Sequence, residues 1–376
     1  MDSSDQPANV TFFDFVGGVQ LLQGEDIRTA VPVLLIGICV SGAVGNLLVL
    51  LIFMRDFKEG KGSEVKALLA SLASTDLLIL LLCAPVRALT TYKQWWVLGR
   101  FVCYTTDWFQ HSCVVAKTLL LAVSTRAKHT LEPAAATASN AGPTLCTPTW
   151  IHGAMAFVWI VSMMFPIPQM LFATLQPHGH DTVCVSEMPA CASQFMVLFY
   201  KIYPMATFVA PVLFTVAYYT KSLHKALNYA PCPRHQSKVT LVLLCLSSTL
   251  GLMLLPEWGT FTWVRLGYNK PPVGVVLFAQ VLLYACSALS PVLLMTMYDD
   301  VRQGLVTICL AAACRGSKAA SAPPKTEGNG AELGANAIIP NAEKTFPDVE
   351  HFWTGRRNTH VEEEQDPVPW EREEKM

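Results

Sequence analysis

Seven apolar runs, each about 20 residues long, constrain the fold of this chain more than any other feature. A helix of that length crosses a hydrocarbon core of roughly 30 Å, and the sequence lacks the alternating ten-residue segments of a transmembrane barrel. The runs lie at about 30–54, 67–86, 101–125, 150–171, 195–219, 239–264 and 274–297. The sequence therefore predicts an all-α membrane protein with a bundle of seven transmembrane helices over 30–297.

Composition and the N-terminus support a self-targeting membrane protein. Of the 376 residues, 52% are hydrophobic and 15% are charged, which excludes an ordinary water-soluble domain. The first 27 residues lack a basic start followed by an apolar core, so we expect no cleaved signal peptide and expect span one to target the chain. The net charge of −1, without a dense basic face, argues against nucleic acid as a partner.

Lysine and arginine predict the orientation. If the N-terminus is outside, thirteen of these residues fall in or beside the inner loops and six in the outer segments. We therefore expect a multi-pass plasma-membrane protein with an extracellular N-terminal segment, 1–29, and a cytoplasmic C-terminus. Asn9, in Asn9-Val10-Thr11, is then a glycosylation acceptor.

Two of the twelve cysteines are candidates for a disulfide bond. Cys103 opens span three and Cys184 lies between spans four and five, both on the predicted outer face, where an oxidising compartment lets a bridge persist. Most of the other cysteines lie within spans, where a thiol usually acts as a small hydrophobe. The state of Cys191, a further outer cysteine, stays open.

The chain changes character after span seven. In "MYDDVRQGLVTICLAAAC" the apolar residues recur on one helical side, which predicts a short amphipathic eighth helix over 298–315 at the lipid surface. Cys309 and Cys314 are then palmitoylation candidates, or simply unmodified thiols. From Gly316 onward the chain has twelve acidic and seven basic residues and no apolar run, so we expect a disordered cytoplasmic tail, 316–376. Its "FPDVEHFW" and "DPVPWE" segments favour docking to a cytosolic protein, or have no partner.

Two opposite charges are predicted at the same depth in the bundle. Lys117 lies within the apolar run of span three, and Asp76 is the acid within span two. At about 1.5 Å per residue both fall near the middle of the membrane. Either charge alone would be buried and unpaired, at a loss of roughly 3 to 5 kcal/mol. We therefore expect an Asp76–Lys117 ion pair, which serves bundle stability or a switch.

These features occur in an order that resembles the rhodopsin-like, class A G-protein-coupled receptors over about residues 28–310. The matching residues are Gly45-Asn46, Leu72 with Asp76, "WVLGRFVC" leading into Cys103, Trp159, Phe208-Val209-Ala210-Pro211 with Tyr219, and Pro256. The segments "TTDWF", "LPEW" and "SPVLL", with the tail motifs, are more closely similar to an orphan receptor of this class related to the galanin receptors.

The resemblance implies an altered ion site. In that family the aspartate at the position of Asp76 holds a sodium ion, with help from spans three and seven. Here Lys117 occupies the span-three position, and Cys286 and Ser290 stand where asparagines are usual. We therefore predict that the Lys117 ammonium replaces the ion, and we expect no metal or cofactor.

The resemblance also implies coupling to heterotrimeric G proteins, with the inhibitory type favoured by analogy. The residues expected to face the G protein are Arg126, Lys128, Tyr219 and Lys238. Three family motifs are changed, however. The acid-arginine-tyrosine triplet reads Ala127-Lys128-His129, the tryptophan before the span-six proline is Leu254, and the span-seven motif reads Ser290-Pro291-Val292-Leu293-Leu294.

An outer ligand cavity is expected between spans three, six and seven. Its predicted lining is Asp107, Gln110, His111, Glu257, Gln280 and Tyr284. The resemblance implies a neuropeptide or other extracellular ligand. Amines are not expected, because Gln110 occupies the position where monoamine receptors keep an aspartate.

Two alternatives remain open. His111, His178 and His180 would make the protein a proton sensor, since histidine titrates near physiological pH. An ion transporter or channel would use Asp76 and Lys117 as a relay, although no inverted repeat is found and the span count is odd. An enzyme is not expected, because the sequence has no nucleophile-base set, metal-ligand spacing or phosphate-binding glycine loop.

Overall fold

A computed structural model describes residues 11–13, 25–137, 149–178, 181–188, 193–228, 234–266 and 271–320. Within these residues, seven long helical segments follow one another, and we keep the names span one to span seven for them. Their bounds are Glu25–Lys58; Glu64–Leu78, Ile79–Cys83 and Ala84–Lys93; Gly99–Thr137; Thr149–Met164 and Ile167–Leu171; Ser193–Pro204, Met205–Val209 and Ala210–Asn228; Arg234–Leu266; and Val273–Met297.

Six of these segments are long and apolar enough to cross a membrane, and span three is the exception. Its side chains from Gln110 to Thr118 are all buried. A helix surrounded by other helices presents little surface to lipid, so it can carry polar residues that a lipid-facing helix cannot. Large apolar side chains such as Phe157 and Leu252 instead lie exposed on the outside of the bundle.

Spans two and five each contain one wide π-helical turn, Ile79–Cys83 and Met205–Val209. In span two the N–H of Ala84 donates to the carbonyl of Ile79, a bond that encloses one residue more than a regular helical turn. Pro85 and Pro211 each stand two residues after the end of a π-turn, and a proline ring would clash with the carbonyl four residues earlier in a regular helix. The wide turn accommodates the proline without breaking the span.

A three-stranded sheet lies at one end of the bundle, where the sequence predicts only loops. The strands are β1 (Thr11–Phe13), β2 (Ala173–His178) and β3 (Asp181–Met188), in the antiparallel order β1-β3-β2. The predicted disulfide between Cys103 and Cys184 is present, with the two Cα atoms 5.8 Å apart. It joins β3 to the start of span three, and we call this the disulfide end.

The opposite end carries the amphipathic helix, Asp299–Ala320, which continues five residues beyond the predicted boundary of 315. Ion pairs connect it to the bundle. Lys66 of span two lies 2.6 Å from Asp56 and 2.9 Å from Asp300, and Lys238 of span six lies 2.6 Å from Asp299. Acids in the first turn also interact favourably with the helix dipole.

Several predictions concern residues that the structure does not describe. Asn9, Cys191 and the tail from Ser321 lie outside the described residues. Cys309 is exposed on the amphipathic helix, while Cys314 lies on the same helix with an undescribed side chain.

Candidate ligand cavity and buried ion pair

The predicted ion pair forms at the centre of the bundle. Lys117 Nζ lies 2.5 Å from Asp76 Oδ1, and the side chains are 2% and 0% exposed. At this burial neither charge can be neutralised by water, so each depends on the other.

The Lys117 ammonium also has neutral partners on span seven. It donates to Ser287 Oγ at 3.2 Å and approaches Cys286 Sγ at 3.9 Å. Asn46 of span one donates to the carbonyl of Ser287 at 3.0 Å, which ties the same turn to a third helix. The Ser290 hydroxyl instead donates to the carbonyl of Cys286. Acceptors from spans two and seven therefore converge on the ammonium.

A small polar cavity lies in the bundle on the disulfide side of this pair. Five of the six predicted lining residues border it: Asp107, Gln110, His111, Glu257 and Gln280. The prediction is wrong for Tyr284, which is not among the residues that line the cavity. Its hydroxyl donates to Gln110 Oε1 at 2.6 Å, so it is buried against a lining residue and orients its amide.

Arg87 is a cavity residue that is not among the predicted lining residues. It is 4% exposed, and Nη2 lies 3.2 Å from Asp107 Oδ1. Its Nη1 makes no hydrogen bond of normal geometry to any residue within the described parts of the chain. Arg87 lies just beyond the predicted end of span two, among the six basic residues of the outer segments that predict the orientation. Its position three helical turns after Asp76 is the signal that would have found it.

Arg265 is the second unpredicted arginine. Its Nη1 donates to Ser186 Oγ at 3.0 Å and to Tyr200 Oη at 3.1 Å. The guanidinium also lies over the rings of Tyr200 and Phe261, at 5.2 and 5.5 Å from their centroids, a favourable cation-π geometry. Because Ser186 belongs to β3, this arginine connects the sheet to the cavity wall.

Aromatic side chains surround His111 at the bottom of the cavity. Its ring centroid lies 5.1 Å from that of Phe261 and 5.6 Å from that of Trp258. Its Nδ1 makes no hydrogen bond to a described residue. Of the other proton-sensing candidates, His178 ends β2 with an undescribed side chain, and His180 lies outside the described residues.

Trp258 supplies an indole one turn after Leu254, where the sequence lacks the tryptophan usual in similar chains. The Trp258 ring stacks on Phe208, with centroids 5.6 Å apart and an interplanar angle of 18°. Leu254 itself is buried. The indole therefore contacts span five from the cavity side.

At the amphipathic-helix end, the predicted partner-facing residues differ in exposure. Arg126 is exposed, and its guanidinium lies over the Trp150 ring at 5.2 Å. Lys238 is half-exposed and pairs with Asp299, while the side chain of Lys128 is not described. The prediction for Tyr219 is wrong in this structure, because its hydroxyl is buried and lies 2.6 Å from Ser124 Oγ.

Comparisons with known proteins agree on one family. The family described as "7 transmembrane receptor (rhodopsin family)" matches residues 45–294. G-protein coupled receptor 151 of Homo sapiens is 29% identical, covering 99% of this chain and 96% of that protein. Probable G-protein coupled receptor 151 of Rattus norvegicus is 30% identical, covering 99% of this chain and 95% of that protein. Galanin receptor type 2 of Homo sapiens is 22% identical, covering 74% of this chain and 72% of that protein.

Proposed function

The chain belongs to the rhodopsin family of seven-transmembrane receptors, and we propose that it transduces an extracellular, peptide-like signal to heterotrimeric G proteins. Membership makes it a receptor rather than an enzyme. The cavity at the disulfide end carries the proposal, since it lies between the spans and is lined by charges of both signs. The relative named galanin receptor type 2 supports a peptide-like ligand.

A peptide screen tests this proposal. Cells expressing the full chain are exposed to a peptide panel at two pH values, and G-protein dissociation and cyclic AMP are measured. We expect at least one peptide to activate the wild type and to lose about tenfold in potency on Gln110→Ala, since one lost hydrogen bond to a ligand in the cavity is worth about that factor. Arg100→Gln, an exposed change on the same span, is the control. A well-expressed receptor that no peptide activates contradicts a peptide-like ligand.

Coupling at the other end is assigned to the inner surface that contains Arg126. The exposed guanidinium over Trp150 offers a fixed cation to a docking protein. Inhibitory G proteins are favoured by family analogy, so agonist should lower cyclic AMP. We expect Arg126→Ala to reduce maximal G-protein dissociation without changing surface expression. An unchanged maximum would remove Arg126 from the coupling surface.

We also propose that Lys117 replaces a sodium ion. The distances of 2.5 Å to Asp76 and 3.2 Å to Ser287 support this, because the ammonium already occupies the space between these groups and would repel a second cation. Basal signalling should not change when sodium chloride is exchanged for choline chloride at constant ionic strength. Lys117→Ser should gain a sodium response. A sodium response of the wild type would contradict the proposal.

Proton sensing remains the second candidate, and it depends on His111. A buried imidazole nitrogen without a hydrogen bond to a described residue, close to the acid Asp107 in the same cavity wall, is the observation in its favour. Signalling is titrated between about pH 5 and 8 in the wild type and in His111→Phe. A flat response in the wild type eliminates this candidate.

A further inference from the structure

We propose that the cavity recognises a carboxylate group of its ligand, and that Arg87 is the residue that binds it. This inference rests on the proposed receptor function and names the chemistry of the same cavity. It assigns a binding role to an arginine whose position the resemblance does not single out.

The first support is the incomplete pairing of Arg87. A guanidinium has five N–H donors in a planar fork that matches a carboxylate with two parallel hydrogen bonds. Asp107 approaches Arg87 through one oxygen at 3.2 Å, and Tyr284 lies within hydrogen-bonding reach of the same guanidinium. Nη1 makes no hydrogen bond within the described residues although the side chain is 4% exposed. A ligand carboxylate that the guanidinium turns to meet would use this donor.

The second support is the position of Arg87 on the cavity wall. The same wall contains Gln110 and Gln280, whose amides can donate to a carboxylate beside the guanidinium. Arg265 adds a second positive charge to the lining. A carboxylate would therefore exchange its water for fixed donors, which is the condition under which a buried charge is stable.

The acids of the cavity narrow the ligand class. Asp107 and Glu257 border the same space, so the two arginines are balanced by two carboxylates. A monoanion can replace Asp107 at Arg87, whereas a phosphate with nearly two charges would be repelled by both acids. Phe261, Val264 and Val276 supply apolar wall beside the charges. The cavity lining therefore suits a ligand that has a single carboxylate attached to an apolar or aromatic group.

Fluorinated fragments test the proposal without knowledge of the natural ligand. The probes are 4-fluorobenzoate and its neutral match 4-fluorobenzamide, added to the purified full chain in lipid nanodiscs, with binding measured from the broadening of the fluorine NMR signal. We expect benzoate to bind the wild type about tenfold more tightly than benzamide, the factor that one charge-assisted contact provides. Arg87→Gln should abolish this preference, and Arg87→Lys should keep part of it, because the charge remains and the fork is lost.

Asp107→Asn is the reciprocal variant, and it keeps the test decisive if Arg87→Gln fails to fold. Removing the competing carboxylate should increase benzoate binding, whereas Arg100→Gln should leave it at the wild-type value. Equal binding of the two probes to the wild type, absence of benzoate binding at millimolar concentration, or no gain in Asp107→Asn would overturn the proposal. The assay contains no G protein, so a failure of coupling in cells is observed separately and overturns the proposed function instead.

Discussion

Spans two and three are joined by two buried ion pairs with reversed polarity. At the centre of the bundle the acid Asp76 lies on span two and the base Lys117 on span three, while beside the cavity the base Arg87 lies on span two and the acid Asp107 on span three. The central pair is 2.5 Å apart and the cavity pair 3.2 Å apart. The Asp76–Lys117 pair is thus part of the bundle core, whereas the Arg87–Asp107 pair lines the polar cavity.

The spacing along the helices explains how both pairs can form. Asp76 and Arg87 are eleven positions apart on span two, but Lys117 and Asp107 are ten apart on span three. The π-turn Ile79–Cys83 lies between the two charges of span two and takes up one extra residue. The two separations therefore cover about the same length and about the same rotation.

The central pair should show the largest effect when it is broken. Lys117→Met leaves Asp76 buried without its cation, and we expect the free energy of unfolding to fall by about 3 to 5 kcal/mol. Denaturant unfolding of the purified receptor measures this. The double variant Lys117→Met with Asp76→Asn should recover most of the loss. If the double variant is as unstable as the single one, the loss does not come from an unpaired charge.

Deletion of one residue from the π-turn should separate the two pairs. Leu82 is 52% exposed on the outside of the bundle, so removing it deletes no core contact. Each residue turns a helix by about 100°, so deletion should rotate Arg87 away from Asp107 while Asp76 and Lys117 stay paired. We expect loss of benzoate binding, with sodium-independent basal signalling retained. The substitution Leu82→Ala at the same exposed position keeps the chain length, so it should change neither property.

The cavity pair should contribute less to stability than the central pair. Arg87→Gln leaves Asp107 next to a cavity that water can enter, so we expect a loss of about 1 to 2 kcal/mol in the same unfolding measurement. Arg100→Gln should cause no loss. A cost equal to that of Lys117→Met would mean that the cavity does not solvate the remaining acid.

The smallest effect is expected at the surface pair between Arg55 and Glu59. The hydrogen bond from Arg55, with one from Lys61, lowers the pKa of Glu59 to about 2. A lowered folded-state pKa stabilises the protein above the unfolded value near 4.5, and this contribution is lost only as the pH falls towards 2. The difference in stability between the wild type and Glu59→Gln should therefore be small, because the pair is exposed, and should stay constant from pH 5 to 8. A difference that grows with falling pH in this range would contradict it.

The apolar runs and the central charges could be predicted because each has a single physical solution. A run of about 20 apolar residues must span the bilayer, and an isolated Lys117 must find an acid at its own depth. Five of the six proposed lining residues border the cavity because they follow one another at helical spacing on spans three, six and seven. These predictions depend on position along a regular helix, which the sequence specifies well.

The features that could not be predicted depend on departures from a regular helix or on distant packing. Arg87 lies one residue beyond the predicted end of span two, and the π-turn that brings it opposite Asp107 leaves no local pattern in the sequence. The β2–β3 hairpin is stabilised by contacts such as Trp96 N–H donating to the carbonyl of Thr182, which no local pattern reveals. Tyr284 and Tyr219 differ from expectation because their hydroxyls find buried partners in Gln110 and Ser124.

Strand β3 has a mechanical consequence for span six. Cys184 fixes the strand covalently to span three, and Ser186, two residues later, accepts a hydrogen bond from Arg265 near the end of span six. Spans three and six are thus braced against each other through about 7 Å of strand. Any tilt of span six would pivot at this brace. Over its 33 residues, about 50 Å, a deflection of about 10° would displace the far end by roughly 9 Å. A small shift of Arg265 at the disulfide end would in this way become a larger displacement of span six at the opposite end of the bundle.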